Sequence, residues 1–65
     1  MDAASQQKVI NAGFTIIRMD DNPDIRIKFK GKGYQDWKTL EKFETKAARQ
    51  RRWNELMKQD LFIND

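Results

Sequence analysis

Polar and apolar residues alternate with a period of two between positions 25 and 30, and this is the clearest structural signal in the chain. A period of two is typical of a β-strand with one buried face and one exposed face. Such a strand has three apolar side chains on one face and three cations on the other: Ile25, Ile27, Phe29 and Arg26, Lys28, Lys30.

Two further strands are predicted on either side of this one. Residues 14–19 form a run rich in β-branched side chains, and the turn formers at 20–24 separate them from the alternating segment. The glycines of 31–33 predict a second tight turn, so a third strand is expected from 34 to 39 or 40. Because both connections are short, we predict a three-stranded antiparallel meander.

Helix formers occupy both sides of the predicted sheet. Residues 2–12 predict a short helix capped by Asp2, although a helix of this length is marginal in isolation. Residues 44–60 contain no Gly or Pro, and Thr45 or Glu44 is placed to cap a second helix. Its inner face is predicted from apolar side chains at helical spacing: Trp53, Leu56 and Met57.

The predicted fold class is therefore α+β, with the C-terminal helix packed on one face of the meander and the other face left open. We expect one small domain over residues 1–65, because a chain of 65 residues supports a single thin core. A short helix or frayed arm is expected at 1–12, the sheet at 13–40 and the second helix at 44–60. An apolar tail at 61–65 is expected to fold back onto the core.

Composition excludes several kinds of chemistry. The chain has no Cys and no His, so it lacks disulfides, thiolate metal sites and the commonest general base. No nucleophile–base pair is recognisable, and we expect no catalytic residues, no metal and no cofactor. No apolar run approaches the ~20 residues of a membrane span, and no secretory signal is recognisable. The expectation is a cytoplasmic protein that does not bind membranes.

Charge is distributed very unevenly along the chain. Residues 25–58 hold eleven Lys and Arg against four acids, a net charge of +7, whereas the rest holds two bases and six acids, a net charge of −4. A concentrated positive segment favours a polyanionic partner such as DNA or RNA. The predicted contacts to nucleic acid are all cations: Arg18, Arg26, Lys28, Lys30, Lys32, Lys38 and Arg52.

A simple solvated surface is the alternative interpretation of these cations. Any half-buried antiparallel strand has a polar outer face, and Arg52 lies three residues before Glu55, where a surface ion pair is expected. No acid occurs from 25 to 35, whereas a solvated face usually mixes signs. On the helix, Arg49 is predicted to lay its side chain over Trp53.

The aromatic residues also permit two interpretations. Trp37 and Trp53 are suited to stacking on single-stranded nucleic acid, but so small a domain needs large aromatics in its core. A core position is therefore predicted for Trp53, and a core or sheet-edge position for Trp37. Tyr34, beside a glycine turn, is the aromatic side chain most expected to be exposed.

The order of three strands and a helix, with matching residues at the junction, resembles the arm-type DNA-binding domains at the N-terminus of phage and transposon integrases. The resemblance covers about residues 14–58 and is carried by Trp37-Lys38-Thr39, Phe43, Thr45, Lys46 and Ala47-Ala48. It implies that the sheet face enters the major groove and that Arg18, Arg26, Lys28 and Lys30 read DNA. The stretch is also similar to small uncharacterised proteins of bacterial mobile elements.

The leading hypothesis is a small, non-enzymatic nucleic-acid-binding module, with duplex DNA favoured over RNA. Arg26 is the residue expected to reach a base edge, because its guanidinium is a bidentate donor. Five or six phosphate contacts would give a log–log salt slope near about −5. The alternative is a protein-interaction module, such as a phage-type or mobile-element-type inhibitor or adaptor. The oligomeric state is expected to be a monomer or a weak homodimer joined through edge strands.

Overall fold

The computed structural model describes residues 1–33 and 36–65 of the chain. These residues form two helices and four strands in an α+β arrangement, which confirms the predicted fold class at that level. In chain order the elements are α1 (Ala3–Asn11), β1 (Thr15–Asp20), β2 (Arg26–Lys30), β3 (Lys38–Lys42), α2 (Lys46–Met57) and β4 (Phe62–Asn64).

The sheet is mixed and has four strands in the order β3-β2-β1-β4. The antiparallel pairs β1–β2 and β2–β3 match the predicted meander, but β4 pairs parallel to β1, with Thr15 opposite Phe62. The prediction of a purely antiparallel three-stranded sheet is therefore wrong. The tail folds back as expected, yet it does so by completing the ladder of β1 rather than only by covering the core.

The main core lies between the sheet and α2. Ile17 and Ile27 are fully buried on the inner face of the sheet, and Trp53 and Leu56 reach them from α2. Partly buried side chains surround this cluster: Met19, Phe29, Phe43, Met57 and Phe62. The inner face predicted from the spacing of Trp53, Leu56 and Met57 is the face that packs on the sheet.

The first helix covers part of the opposite sheet face. Ile10 of α1 and Ile16 of β1 are 3% and 0% exposed, and Ile16 lies on the face turned away from α2. Gln6 donates to Asp65 Oδ1 over 2.8 Å and accepts from Lys30 Nζ over 3.3 Å. The second face is thus only partly open, because docking of α1 buries apolar surface that the sequence analysis left exposed.

The helix ends agree with their sequence signals. Asp2 accepts a hydrogen bond from the backbone N–H of Ser5 over 2.7 Å, and Thr45 Oγ1 accepts one from Ala48 over 3.1 Å. Both are N-caps that satisfy otherwise unpaired amide groups. The second helix ends at Met57, three residues before the predicted end. Neither helix in the described part of the chain is long and apolar enough to span a bilayer.

Strand β3 lies later in the chain than predicted. It covers Lys38–Lys42 and forms one edge of the sheet, and all five residues are exposed. The register of its pairing with β2 shifts between Ile27 and Lys28. Positions 34 and 35, where the predicted strand begins, are outside the described residues, as is the predicted exposure of Tyr34.

Candidate nucleic-acid interface

Four predicted cations share the sheet face that is turned away from α2. Arg18 lies opposite Lys28, Asp20 lies opposite Arg26, and Lys30 lies opposite the buried Ile16. Residues directly opposite in an antiparallel pair point to the same side of the sheet. We call the set of Arg18, Arg26, Lys28 and Lys30 the cation face.

Trp37 belongs to this surface. The guanidinium carbon of Arg18 lies 5.2 Å from the centroid of the Trp37 ring, and Lys28 Nζ lies 5.9 Å from it. Both distances are within the range of cation–π attraction, so the ring holds two cations from neighbouring strands in place. The sequence predicts a core or sheet-edge position for Trp37 and carries no signal for this contact.

Asp20 binds two members of the cation face. Its Oδ2 accepts hydrogen bonds from Arg26 Nε and Nη2 over 3.1 and 2.8 Å, and Lys28 Nζ lies 3.4 Å from the same oxygen. The hydrogen bond from Arg26 is the main reason why the pKa of Asp20 falls from 3.8 to about 2. The carboxylate is therefore charged at neutral pH and offsets one of the two positive charges beside it.

Asp65 offsets a second charge. Its Oδ2 lies 3.6 Å from Arg18 Nε, and its side chain is only 10% exposed. The cation face thus carries four positive charges against two carboxylates, which leaves a net charge of +2. The stretch 25–35 contains no acid, yet the surface formed by its cations is partly neutralised. The two carboxylates come from other parts of the chain: Asp20 lies on the neighbouring strand β1, and Asp65 follows β4.

Arg26 is less available than the sequence analysis expected. Besides Asp20, its guanidinium donates to Thr39 Oγ1 over 3.0 Å and to the backbone oxygen of Asn22 over 3.3 Å. Its bidentate fork is therefore occupied within the protein. Arg18 is the more accessible arginine, since 48% of its side chain is exposed.

The other predicted contacts lie elsewhere. Lys38 is paired with Phe29, which faces the core, so its side chain is on the α2 side of the sheet. Arg52 of α2 lies 3.8 Å from Glu41 and 3.0 Å from Glu55, which confirms the expected surface ion pair. Lys32 is exposed in the turn between β2 and β3. The seven predicted cations therefore do not form one surface.

The acidic loop at 20–24 binds cations from the second helix and from β3. Arg49 is buried, at 7% exposure, and its Nη1 donates to the backbone oxygen of Asp20 over 3.0 Å and to the Asp21 carboxylate. The hydrogen bond from Arg49 to the carboxylate of Asp21 lowers the pKa of Asp21. The guanidinium of Arg49 thus binds the loop, which the sequence analysis did not predict. Lys46 and Lys42 make longer ion pairs with Asp21 and Asp24, at 3.6 and 3.4 Å.

No group of His, Cys, Asp or Glu in residues 1–33 and 36–65 is arranged to hold a metal ion. Comparison of the chain with protein family models, with curated proteins and with solved structures finds no match. The geometry of the cation face and its surroundings is therefore the basis for assigning a function.

Proposed function

We propose that this protein is a small nucleic-acid-binding module that contacts the phosphates of duplex DNA through the cation face. The supporting observation is that four cations converge on one sheet face and keep a net charge of +2 after their ion pairs are counted. Phosphate contacts provide most of the affinity in non-specific DNA binding, and they need positive charge on one surface rather than a particular fold.

Among these cations, Arg18 and Lys28 are the primary contacts in this proposal. Trp37 holds both side chains, which reduces the conformational entropy lost when they bind a phosphate. Arg26, whose fork is bound to Asp20, positions that carboxylate and does not read a base edge. The expected number of neutralised phosphates is correspondingly lower than the sequence alone suggested.

Fluorescence anisotropy with a labelled duplex at several salt concentrations tests the proposal. We expect a log–log salt slope of about −3, which corresponds to about three phosphates. The double variant Lys28→Glu with Lys30→Glu should abolish binding, because it reverses two charges on the cation face. Lys8→Glu with Lys58→Glu is the matched control, since it changes the net charge equally at exposed positions of α1 and of the α2 C-terminus.

Arg18→Gln provides a milder variant whose fold is easily checked by circular dichroism, and Lys8→Gln is its control. An affinity that does not change with salt, or an equal loss of binding in both double variants, would contradict the proposal. Single-stranded DNA and RNA of the same length are included, because stronger binding to either would change the assigned nucleic acid.

A second candidate function is protein interaction through the edge of the sheet. It is favoured by β3, whose five residues are exposed at the sheet edge and whose Leu40 is 38% exposed. Such an edge can accept a strand from a partner or from a second copy. The charge-reversal pair separates the two functions, because strand pairing at β3 should persist when Lys28 and Lys30 are changed.

A further inference from the structure

A groove of about 420 Å³ lies between the first helix and the turn after β2. The helix contributes Gln7, Ile10 and Asn11, and the turn side is formed by residues 30–33. We call it the turn groove. Its volume is within the roughly 300–1,000 Å³ range of small-ligand sites, but polar groups dominate its wall and make it unsuited to an apolar ligand.

The positive charge of the turn groove is not offset by acids. Neither Lys30 nor Lys32 forms a salt bridge with any carboxylate that the structure describes. The ammonium group of Lys30 instead lies 3.3 Å from the neutral side-chain oxygen of Gln6. The two lysines thus retain a charge of +2 in a concave site, whereas Arg18, Arg26 and Lys28 of the cation face are ion-paired.

The two glycines of the turn have different surroundings: Gly31 lies close to β1, whereas Gly33 is exposed. Gly31 is buried, and a Cβ there would lie 3.3 Å from Thr15 Oγ1. Gly33 has a φ of +90°, and among the described residues no atom beyond its chain neighbours lies within 4 Å of the position its Cβ would take. The missing side chain of Gly31 thus lets the turn pack on β1, and that of Gly33 lets a ligand approach the main chain closely.

The helix side of the turn groove adds a neutral donor. Gln7 Nε2 donates to Asn11 Oδ1 over 2.8 Å, which leaves the Nδ2 group of Asn11 directed to no acceptor within the described residues. The C-terminal end of α1 contributes a partial charge of about −0.5 at most, well below the charge of two lysines. The wall therefore favours a compact, multiply charged anion with several acceptor oxygens.

We propose that the turn groove is a phosphate-binding subsite, in which Lys30 and Lys32 bind the anion and Asn11 donates to one of its oxygens. Its assignment to a phosphate of nucleic acid rests on the function proposed above. Lys30 belongs both to the turn groove and to the cation face, so the two positively charged surfaces are continuous. A nucleic-acid strand bound to the cation face could therefore place one of its phosphates in the groove.

Titrations followed by ¹H–¹⁵N NMR test this subsite with three probes. These are inorganic phosphate, a duplex with 5′-phosphates and the same duplex with 5′-hydroxyls. We expect phosphate to shift the backbone amides of Gly31 and Gly33 and the side-chain amide of Asn11. Lys32→Gln should weaken phosphate binding at least threefold, and Lys58→Gln, which removes the same charge from the end of α2, should leave it unchanged.

The probes separate failure of the subsite from failure of the nucleic-acid proposal. If the duplexes bind but Lys32→Gln behaves like Lys58→Gln, the subsite is wrong and the cation face alone binds DNA. If phosphate binds in the turn groove and no duplex binds, the subsite stands and the nucleic-acid function is wrong. If none of the three probes shifts Gly31 or Gly33, the subsite is rejected. A preference for the 5′-phosphorylated duplex assigns the groove to a strand end, and equal binding assigns it to an internal phosphate.

Discussion

Asp20 connects the two sides of the sheet. Its carboxylate accepts hydrogen bonds from Arg26 on the cation face, and its backbone oxygen accepts one from Arg49 on the side of α2. Hydrogen bonds between an arginine and a carboxylate are stronger than those between neutral groups. One acidic residue therefore both limits the charge of the cation face and fixes the loop that follows β1.

The lowered pKa of Asp20 predicts loss of stability in acid. A carboxyl group whose pKa is depressed in the folded state contributes stability that is complete above its ordinary pKa of 3.8 and is lost as pH falls towards about 2. Asp21, whose pKa is also lowered, acts in the same direction. We expect the free energy of unfolding, measured with urea, to fall over this range and to fall less in Asp20→Asn.

Asp60→Asn is the control for this measurement, because Asp60 is exposed and forms no salt bridge with the described part of the chain. Its pH dependence should match that of the unchanged protein. Identical curves for Asp20→Asn and Asp60→Asn would show that Asp20 does not carry the acid sensitivity.

At the level of elements, the attachment of α2 depends on a buried charge as well as on apolar side chains. Only Trp53 and Leu56 are buried apolar residues of this helix, and Arg49 is the third buried position on the same side. Its guanidinium binds the backbone oxygen of Asp20 and the carboxylate of Asp21. The N-terminal half of the helix is thus held to the loop by hydrogen bonds rather than by packing alone.

Arg49→Met should therefore destabilise the protein by about 1–2 kcal/mol. The variant keeps an apolar side chain of similar length but leaves the Asp20 carbonyl without its donor, whereas the half-exposed Asp21 can be hydrated. Arg51→Met, at an exposed position of the same helix, should change stability by no more than about 0.5 kcal/mol. Urea denaturation measures both, and equal stability of the two variants would contradict the role of Arg49.

Elements with a local signal could be predicted, and elements defined by distant pairing could not. The period of two places β2, and the cap at Thr45 and the spacing of Trp53 and Leu56 place α2. The three residues of β4 carry no turn signal or period of their own, because their strand character comes from pairing with β1. The shift in register between Ile27 and Lys28 likewise depends on β3 and has no signature in β2 alone.

In the candidate site, too, features with a local sequence signal could be predicted, and features that depend on distant pairing could not. That Arg26, Lys28 and Lys30 share a face follows directly from alternation, and the register of β1 on β2 places Arg18, also a predicted contact, opposite Lys28. The carboxylates that offset them could not be predicted, because their positions depend on register and on where the chain ends pack. Lys38, another predicted contact, is on the other side of the sheet, because the register of β3 on β2 pairs it with Phe29.

At the scale of the whole molecule, the basic and acidic segments are interleaved rather than separated. The acidic loop at 20–24 binds cations from β2, β3 and α2, and Asp65 binds β1 and α1. The uneven charge along the sequence therefore becomes a more balanced surface in the fold. The cation face keeps a net charge of +2 and Lys32 adds a positive charge at the turn groove, and both proposals concern this side of the sheet.

Asp65→Asn should separate the stability of the fold from its affinity for DNA. The carboxylate joins Arg18 to Gln6, so its neutralisation should lower the free energy of unfolding by about 0.5–1.5 kcal/mol. The same change raises the net charge of the cation face from +2 to +3. Affinity for duplex DNA should then rise by up to about fivefold at low salt, and the salt slope should steepen by about 0.9.

Urea denaturation and fluorescence anisotropy on the same preparation measure the two effects, and Asp60→Asn removes one acid at an exposed position as the control. Opposite changes in stability and affinity are expected only for Asp65, since its carboxylate is a structural partner of Arg18 and, in the proposed function, would compete with phosphate for the same guanidinium. If affinity falls together with stability, Arg18 needs Asp65 to be positioned for binding. The carboxylate would then be part of the interface rather than a limit on its charge.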